Sequence, residues 1–214
     1  MVVNIVAAIV IGYLLGSIPF AYIIPRLKKG IDIRERGSGN AGALAVWREA
    51  GPFFGIIALA CDAGKGILAI YAAKWLGLDM AVHPLWICLA GFAAVAGHNW
   101  PVFLGFRGGK GAATIMGVLV ALMPVQFAIG LGIAVLVVIP TSNIRLGLVG
   151  LALIPLIAWL FGRPTAYIYY PLGLVFFLAG YTLFGLKSEM ARAGEKKDII
   201  VDKSFNFWQT RKSG

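Results

Sequence analysis

The sequence predicts an all-α, polytopic integral membrane protein, a helix bundle of about seven membrane segments. Three observations predict it. The 214 residues are 60% hydrophobic and only 13% charged, a balance that a water-facing surface does not tolerate. The apolar residues lie in long unbroken runs, such as 118 to 140, not in the alternating segments of about ten residues that mark a membrane β-barrel. The 19 Lys+Arg, set against 9 Asp+Glu, fall in short loops between those runs, which is how orientation in a bilayer is encoded. The 28 Gly and 10 Pro fit membrane helices, where small residues let backbones approach closely.

The first run, about 2 to 24, lacks a basic segment ahead of it and is followed by Arg26, Lys28 and Lys29. It reads as a retained first span and not as a signal peptide. Further spans are expected at about 51 to 73, 84 to 104, 146 to 161 and 166 to 186. The remaining run, 111 to 142, is too long for one crossing: about 32 residues at 1.5 Å each reach roughly 48 Å, against a hydrocarbon core of about 30 Å. It is expected to break near Met123-Pro124, giving fourth and fifth segments that are both short.

Charge parity tests this independently, because each extra span reverses the side of every later loop. The first loop carries Arg26, Lys28, Lys29, Arg34 and Arg36, which places it in the cytoplasm and the N-terminus outside. With seven segments, Arg107, Lys110, Arg145 and a tail holding Lys187, Arg192, Lys196, Lys197, Lys203, Arg211 and Lys212 all face the cytoplasm, and only Lys74 and Arg163 lie outside. With six, that tail would be external, against the charge rule. The organisation expected is a single membrane domain over 1–187 and a short basic cytoplasmic tail over 188–214, too short and polar for a core. The tail either lies on anionic lipid or is simply solvated.

The cation excess is thus a matter of topology, and nucleic acid is not expected as a partner. Cys61 and Cys88 fall inside apolar runs and read as buried packing residues without a disulfide; two His and two distant Cys make no metal constellation.

Polar residues are costly in a bilayer, so their positions carry the functional information. The first cluster is Arg36-Gly37-Ser38-Gly39-Asn40-Ala41-Gly42, followed by Arg48 at the start of the next span. Glycines around Ser38 and Asn40 let a backbone wrap an anion, while hydroxyl and guanidinium add donors suited to phosphate. An ordinary turn is the alternative, but a turn leaves Arg48 unexplained. The second cluster is Gly97-His98-Asn99-Trp100-Pro101, then Phe103 and Phe106-Arg107-Gly108-Gly109-Lys110-Gly111 with Thr114. Glycines bracketing one Lys just before a helix put an ammonium beside free helix N–H groups. It is not a Walker A loop, since Leu104 and Gly111 stand where that pattern needs Gly and Ser or Thr. A turn carrying positive charge is the plainer alternative.

Asp62 and Lys65 lie mid-span, three residues apart on one helix face, so each can neutralise the other. A structural ion pair and direct substrate contact are both open, and either way the face points into the bundle. His98 is open between general base and hydrogen-bonding scaffold. No acid stands near it in a His-x4-Asp arrangement, and no Ser-His-Asp grouping can be assembled from the sequence.

These clusters resemble the bacterial membrane acyl-phosphate:glycerol-3-phosphate acyltransferases, the PlsY family, from about Gly12 to Phe184. Gly16-Ser17-Ile18-Pro19-Phe20-Ala21 is similar to the family's first span. Gly37-Ser38-Gly39-Asn40-Ala41-Gly42-Ala43 with Arg48 resembles its first signature, Asp62 with Lys65-Gly66 its second-span pair, and Gly97-His98 through Thr114 its second signature. Ala43-Leu44-Ala45 departs from the usual Ala-Thr-Asn, and Lys187-Ser188-Glu189 departs from a third signature that normally begins Lys-His. The resemblance implies transfer of a fatty acyl group from acyl phosphate to the 1-hydroxyl of sn-glycerol 3-phosphate, giving lysophosphatidic acid, in the bacterial cytoplasmic membrane and without a metal or organic cofactor. It implies catalysis at His98, Ser38 and Lys110, phosphate binding at Ser38, Asn40, Arg48, Gly108, Gly109, Lys110 and Thr114, and an orienting or structural pair in Asp62 and Lys65. Acyl phosphate is already activated, so positioning and charge stabilisation can suffice without a nucleophilic side chain. The rival reading is a transporter or flippase for a phosphate-bearing lipid, which needs accessible polar residues on both sides; the outer loops hold little beyond Lys74, Asp79, His83 and Arg163.

Overall fold

The structure is a computed structural model that describes residues 1–36 and 39–193, with the side chains of 144, 145 and 186–193 outside that description. Ser38, and the tail beyond 193, therefore lie outside the described residues. Among the described residues all regular structure is helical. Nine α-helices run α1 (Val2–Ser17), α2 (Phe20–Lys29), α3 (Ala43–Ala50), α4 (Pro52–Trp75), α5 (Pro84–Asn99), α6 (Ala112–Leu122), α7 (Pro124–Thr141), α8 (Leu148–Leu160) and α9 (Ala166–Ala193). Short 3₁₀ turns lie at Ile33–Glu35, Val102–Leu104 and Ile144–Gly147.

Proline explains most boundaries. Pro52, Pro84 and Pro124 open their helices at the first helical position, where a missing N–H is harmless. The long fourth run divides at Met123–Pro124, between α6 and α7. The first run remains one candidate span but is not one continuous helix. It breaks after Ser17 and restarts at Phe20, because Pro19 cannot donate back to the helix and biases Ile18 to an extended backbone, here φ −64° and ψ 116°. Arg48 is likewise not at the start of a span: it lies in the last turn of the separate helix α3, cut off by Gly51 at φ 104° and by Pro52.

Five stretches are long and apolar enough to cross a membrane, namely Val2–Lys29, Pro52–Trp75, Pro84–Leu104, Pro124–Thr141 and Ala166–Gly185, and two shorter apolar helices are Ala112–Leu122 and Leu148–Leu160. The short segments are thus the fourth and sixth, not the fourth and fifth. Placing the break at Pro124 leaves α7 with 18 residues, about 27 Å of helix, while the 11 residues of α6 give about 17 Å.

The main core forms where α1, α4, α5 and α6 meet, around Ile70, Ile87, Val95, Ile115 and Leu119. Small residues allow that meeting. A Cβ on Gly16 would overlap the Ala94 carbonyl of α5, and one on Gly117 the Ala63 carbonyl of α4, so these helices touch backbone to backbone. A smaller core of Ile33, Val46, Ala50 and Ala58 seats α3 and the first loop on α4. That loop is pinned by Asp32, which accepts from Arg34 Nε at 3.0 Å and Nη2 at 2.8 Å, while the guanidinium lies 4.7 Å over the Tyr22 ring. The paired guanidinium holds the Asp32 carboxyl below its ordinary range.

Candidate functional site

The site is built where α1 breaks and α5 ends against the middle of the continuous helix α4. On α5, Gly97 has no side chain because a Cβ would overlap the Tyr13 carbonyl and press on the Ser17 N–H. That close crossing sets His98 beside the end of α1 and opposite α4. On α4, Asp62 and Lys65 point inward from one face, 1% and 3% exposed. Lys65 Nζ lies 2.9 Å from Asp62 Oδ1 and donates to the Ile18 carbonyl at 3.1 Å, reaching the α1–α2 break.

His98 meets the same carboxylate. Its Nδ1 lies 3.6 Å from Asp62 Oδ1, too long for a hydrogen bond but close enough for strong electrostatic coupling in a buried setting. An acid does therefore face His98, although not in the His-x4-Asp arrangement, which the sequence lacks. The partner comes from another span, which no spacing within one signature reveals.

The second glycine-rich loop folds back over the end of α5. Phe106 N donates to the Pro101 carbonyl at 2.9 Å, Gly108 N to that of Asn99 at 3.1 Å and Gly109 N to that of His98 at 3.3 Å, so Gly108 and Gly109 satisfy carbonyls that α5 leaves open at its end. Their N–H groups are engaged there. The loop contributes closeness: a Cβ on Gly109 would collide with His98 Nε2 and with the Ala41 carbonyl of the first loop. The two glycine-rich loops thus meet beside the His98 ring. Gly111 takes φ +83° and opens α6, and a Cβ there would strike Asn99 Oδ1.

The resulting cleft is lined by Ser17, Ala41, Asp62, Lys65, His98 and Gly109, among others. Several of its polar atoms have no hydrogen-bond partner among the described residues: Ser17 Oγ, both Asp62 carboxylate oxygens and His98 Nδ1. Of the residues expected to bind phosphate, Gly108 and Gly109 line this cleft. Asn40, next to Ala41, and Lys110, next to Gly109, are partly exposed at its rim, and Arg48 is exposed on α3. Thr114 is fully buried on α6, its backbone against Gly66 of α4. Ser17 and Asn99 were not singled out in the sequence as chemical groups; the available signal was a polar residue beside a helix-breaking proline in one case and beside His98 in the other.

A family model described as glycerol-3-phosphate acyltransferase matches residues 6–195. A glycerol-3-phosphate acyltransferase of Shouchella clausii is 39% identical over 195 residues, spanning 90% of this chain and 93% of the relative. Glycerol-3-phosphate acyltransferase 1 of Dehalococcoides mccartyi is 37% identical, spanning 91% and 95%. Among solved structures, PlsY, an integral membrane glycerol 3-phosphate acyltransferase, superposes in its glycerol 3-phosphate form with a TM-score of 0.75 at 28% identity, covering 88% of this chain and 93% of PlsY. Its lysophosphatidic acid form gives 0.74 at 27%. With its apolar helices placed as in that integral membrane protein, this chain is a multi-pass membrane protein that belongs to the glycerol-3-phosphate acyltransferase family.

Proposed function

We propose that this chain transfers a fatty acyl group from acyl phosphate to the 1-hydroxyl of sn-glycerol 3-phosphate and releases lysophosphatidic acid. The observation that carries the reading is the convergence of the two glycine-rich loops, at Ala41 and Gly109, beside the buried Asp62, Lys65 and His98. Family membership supports glycerol 3-phosphate as the acceptor. Acyl phosphate as donor is what the resemblance to the PlsY family implies, and it suits a cleft in which no activated nucleophile is assembled among the described residues, because acyl phosphate arrives activated. The acceptor hydroxyl oxygen attacks the acyl carbon, the carbonyl pair shifts to oxygen, and collapse expels phosphate, which leaves with the hydroxyl proton.

In this reading Ser38, Asn40, Arg48 and Lys110 hold the substrate phosphates. Gly108 and Gly109 let the loop lie flat against His98, and Thr114 supports the α4–α6 contact. His98, Asp62 and Lys65 form the buried wall. The seven apolar segments run from an external N-terminus to a cytoplasmic C-terminus in the bacterial cytoplasmic membrane, with 1–187 as the transferase domain and 188–214 as a short basic cytoplasmic tail.

Purified protein offered acyl phosphate, acyl-CoA and acyl carrier protein donors tests the reaction: acylation of glycerol 3-phosphate from acyl phosphate alone is the expected result. Transfer from acyl-CoA only would replace the donor, and no transfer from any of them would bring the transport reading forward. Labelling of a Ser213→Cys variant from outside intact cells would overturn the topology.

A further inference from the structure

Ser17 is fully buried, at 0% exposure, and its hydroxyl has no hydrogen-bond partner among the described residues. A buried hydroxyl left unpaired costs on the order of 1–3 kcal/mol and calls for an explanation. A serine in the last turn of a helix usually turns its hydroxyl back to the carbonyl four residues earlier. For Ser17 that is Tyr13, whose carbonyl instead faces the bare backbone of Gly97 on α5. The hydroxyl opens into the cleft that also holds Lys65, Asp62 and His98. Lys65 has donors to spare: an ammonium carries three N–H bonds, of which one goes to the Ile18 carbonyl, while Asp62 Oδ1 lies 2.9 Å away as its ion-pair partner.

Resting on the acyl-transfer reading above, we propose that the Ser17 hydroxyl and an N–H of Lys65 not engaged by the Ile18 carbonyl are the donor pair that receives the acyl carbonyl oxygen of the donor substrate. As the acceptor oxygen bonds to the acyl carbon, the carbonyl π pair moves onto that oxygen, and two fixed donors in a site shielded from water stabilise the developing charge. When the C–O bond to phosphate breaks, the pair returns to the carbonyl. Neither donor gives up its proton. Asp62 Oδ1, 2.9 Å away, fixes Lys65 Nζ, and the Ile18 carbonyl ties it to the residue that follows Ser17 in the chain.

The test is Ser17→Ala, assayed with palmitoyl phosphate and glycerol 3-phosphate alongside thermal unfolding in detergent. Loss of one donor of this kind lowers turnover by about 100-fold or more, and the KM for glycerol 3-phosphate is expected to move by less than about threefold, because a donor that acts on the transition state does not hold the acceptor. The melting temperature is expected to hold or rise, because an unpaired buried hydroxyl has been removed. Ser17→Cys, whose thiol is a weaker donor, is expected to fall between wild type and alanine in turnover. Turnover of Ser17→Ala within about threefold of wild type would overturn the assignment, as would a loss of activity matched by a loss of thermal stability. If wild type transfers no acyl group to glycerol 3-phosphate from any donor, the function itself falls and this role with it; if wild type is active and both variants are too, only this role falls.

Discussion

Of their most apolar stretches, Pro52–Trp75 and Pro84–Leu104 bury 39% and 56% inside the protein, whereas Pro124–Thr141 and Ala166–Gly185 bury 17% each. All the buried polar side chains among the described residues except Gln126 belong to α1, α4, α5 and α6. The two halves obey different solvents. In the first, helices touch through glycines and enclose charge, so each position is set by its neighbours. In the second, helices present Leu136, Phe176 and Leu183 outward, all well exposed, as lipid-facing surfaces do. Backbone contact is not confined to the first half, since α7 and α8 also meet at Gly130 and Gly150; what sets the first half apart is that its contacts enclose the buried Asp62, Lys65 and His98.

Substitutions that treat the halves alike should break that contrast or sharpen it. The largest difference is expected between Gly16→Leu and Gly180→Ala. The first drives a side chain into the Ala94 backbone, and the second meets nothing within 4 Å. Gly16→Leu should yield no monodisperse protein in detergent, whereas Gly180→Ala should change unfolding free energy by less than about 1 kcal/mol. Equal behaviour of the two would erase the distinction.

Next comes Asp62→Ala, which strands a buried ammonium. Breaking such a pair costs about 3–5 kcal/mol, to be read as a lowered melting temperature together with lost activity, while the double substitution Asp62→Ala with Lys65→Met should recover part of the stability and none of the turnover. Lys110→Ala, at the rim, should leave folding unchanged and lower kcat/KM by roughly ten- to a hundredfold, the value of one charge-assisted contact. Lys110→Arg should keep part of the activity, because a planar fork replaces a point charge. The smallest effect is expected for Asp32→Asn, away from the cleft. The depressed Asp32 pKa means that the stability from this pair is present above the unfolded value and lost as pH falls through the folded one. Wild type and variant should therefore converge in melting temperature under strongly acid conditions and differ by no more than about 1 kcal/mol near neutrality.

The helices were legible wherever length and proline acted together. The run from 111 to 142 exceeds a bilayer, so it had to break, and Pro124 is where it does. The run from 2 to 24 fits a bilayer, so nothing in its length demanded the break that Pro19 makes. The Asp62–Lys65 pair was readable because three residues on a helix are local geometry. His98 against Asp62 was not, because the contact depends on how α4 and α5 pack against α1. The glycines of the second loop announced a close approach, but not that Gly108 and Gly109 would direct their N–H groups to the end of α5. The departure at Ala45 falls on a half-buried residue of α3 packed in the small core, and the side chain at Ser188 lies outside the described residues.

The bond between Asp62 and Lys65 also bears on how the chain enters the membrane. Its partners sit one helical turn apart, so the pair forms as soon as α4 is helical, before α5 exists to supply His98. A lone acid or lysine at the centre of a nascent span costs about 2.5–3.5 kcal/mol on insertion; two that neutralise each other within one helix lower that cost during synthesis. The charge pair that walls the cleft thus also lowers the cost of moving its own helix from water into lipid.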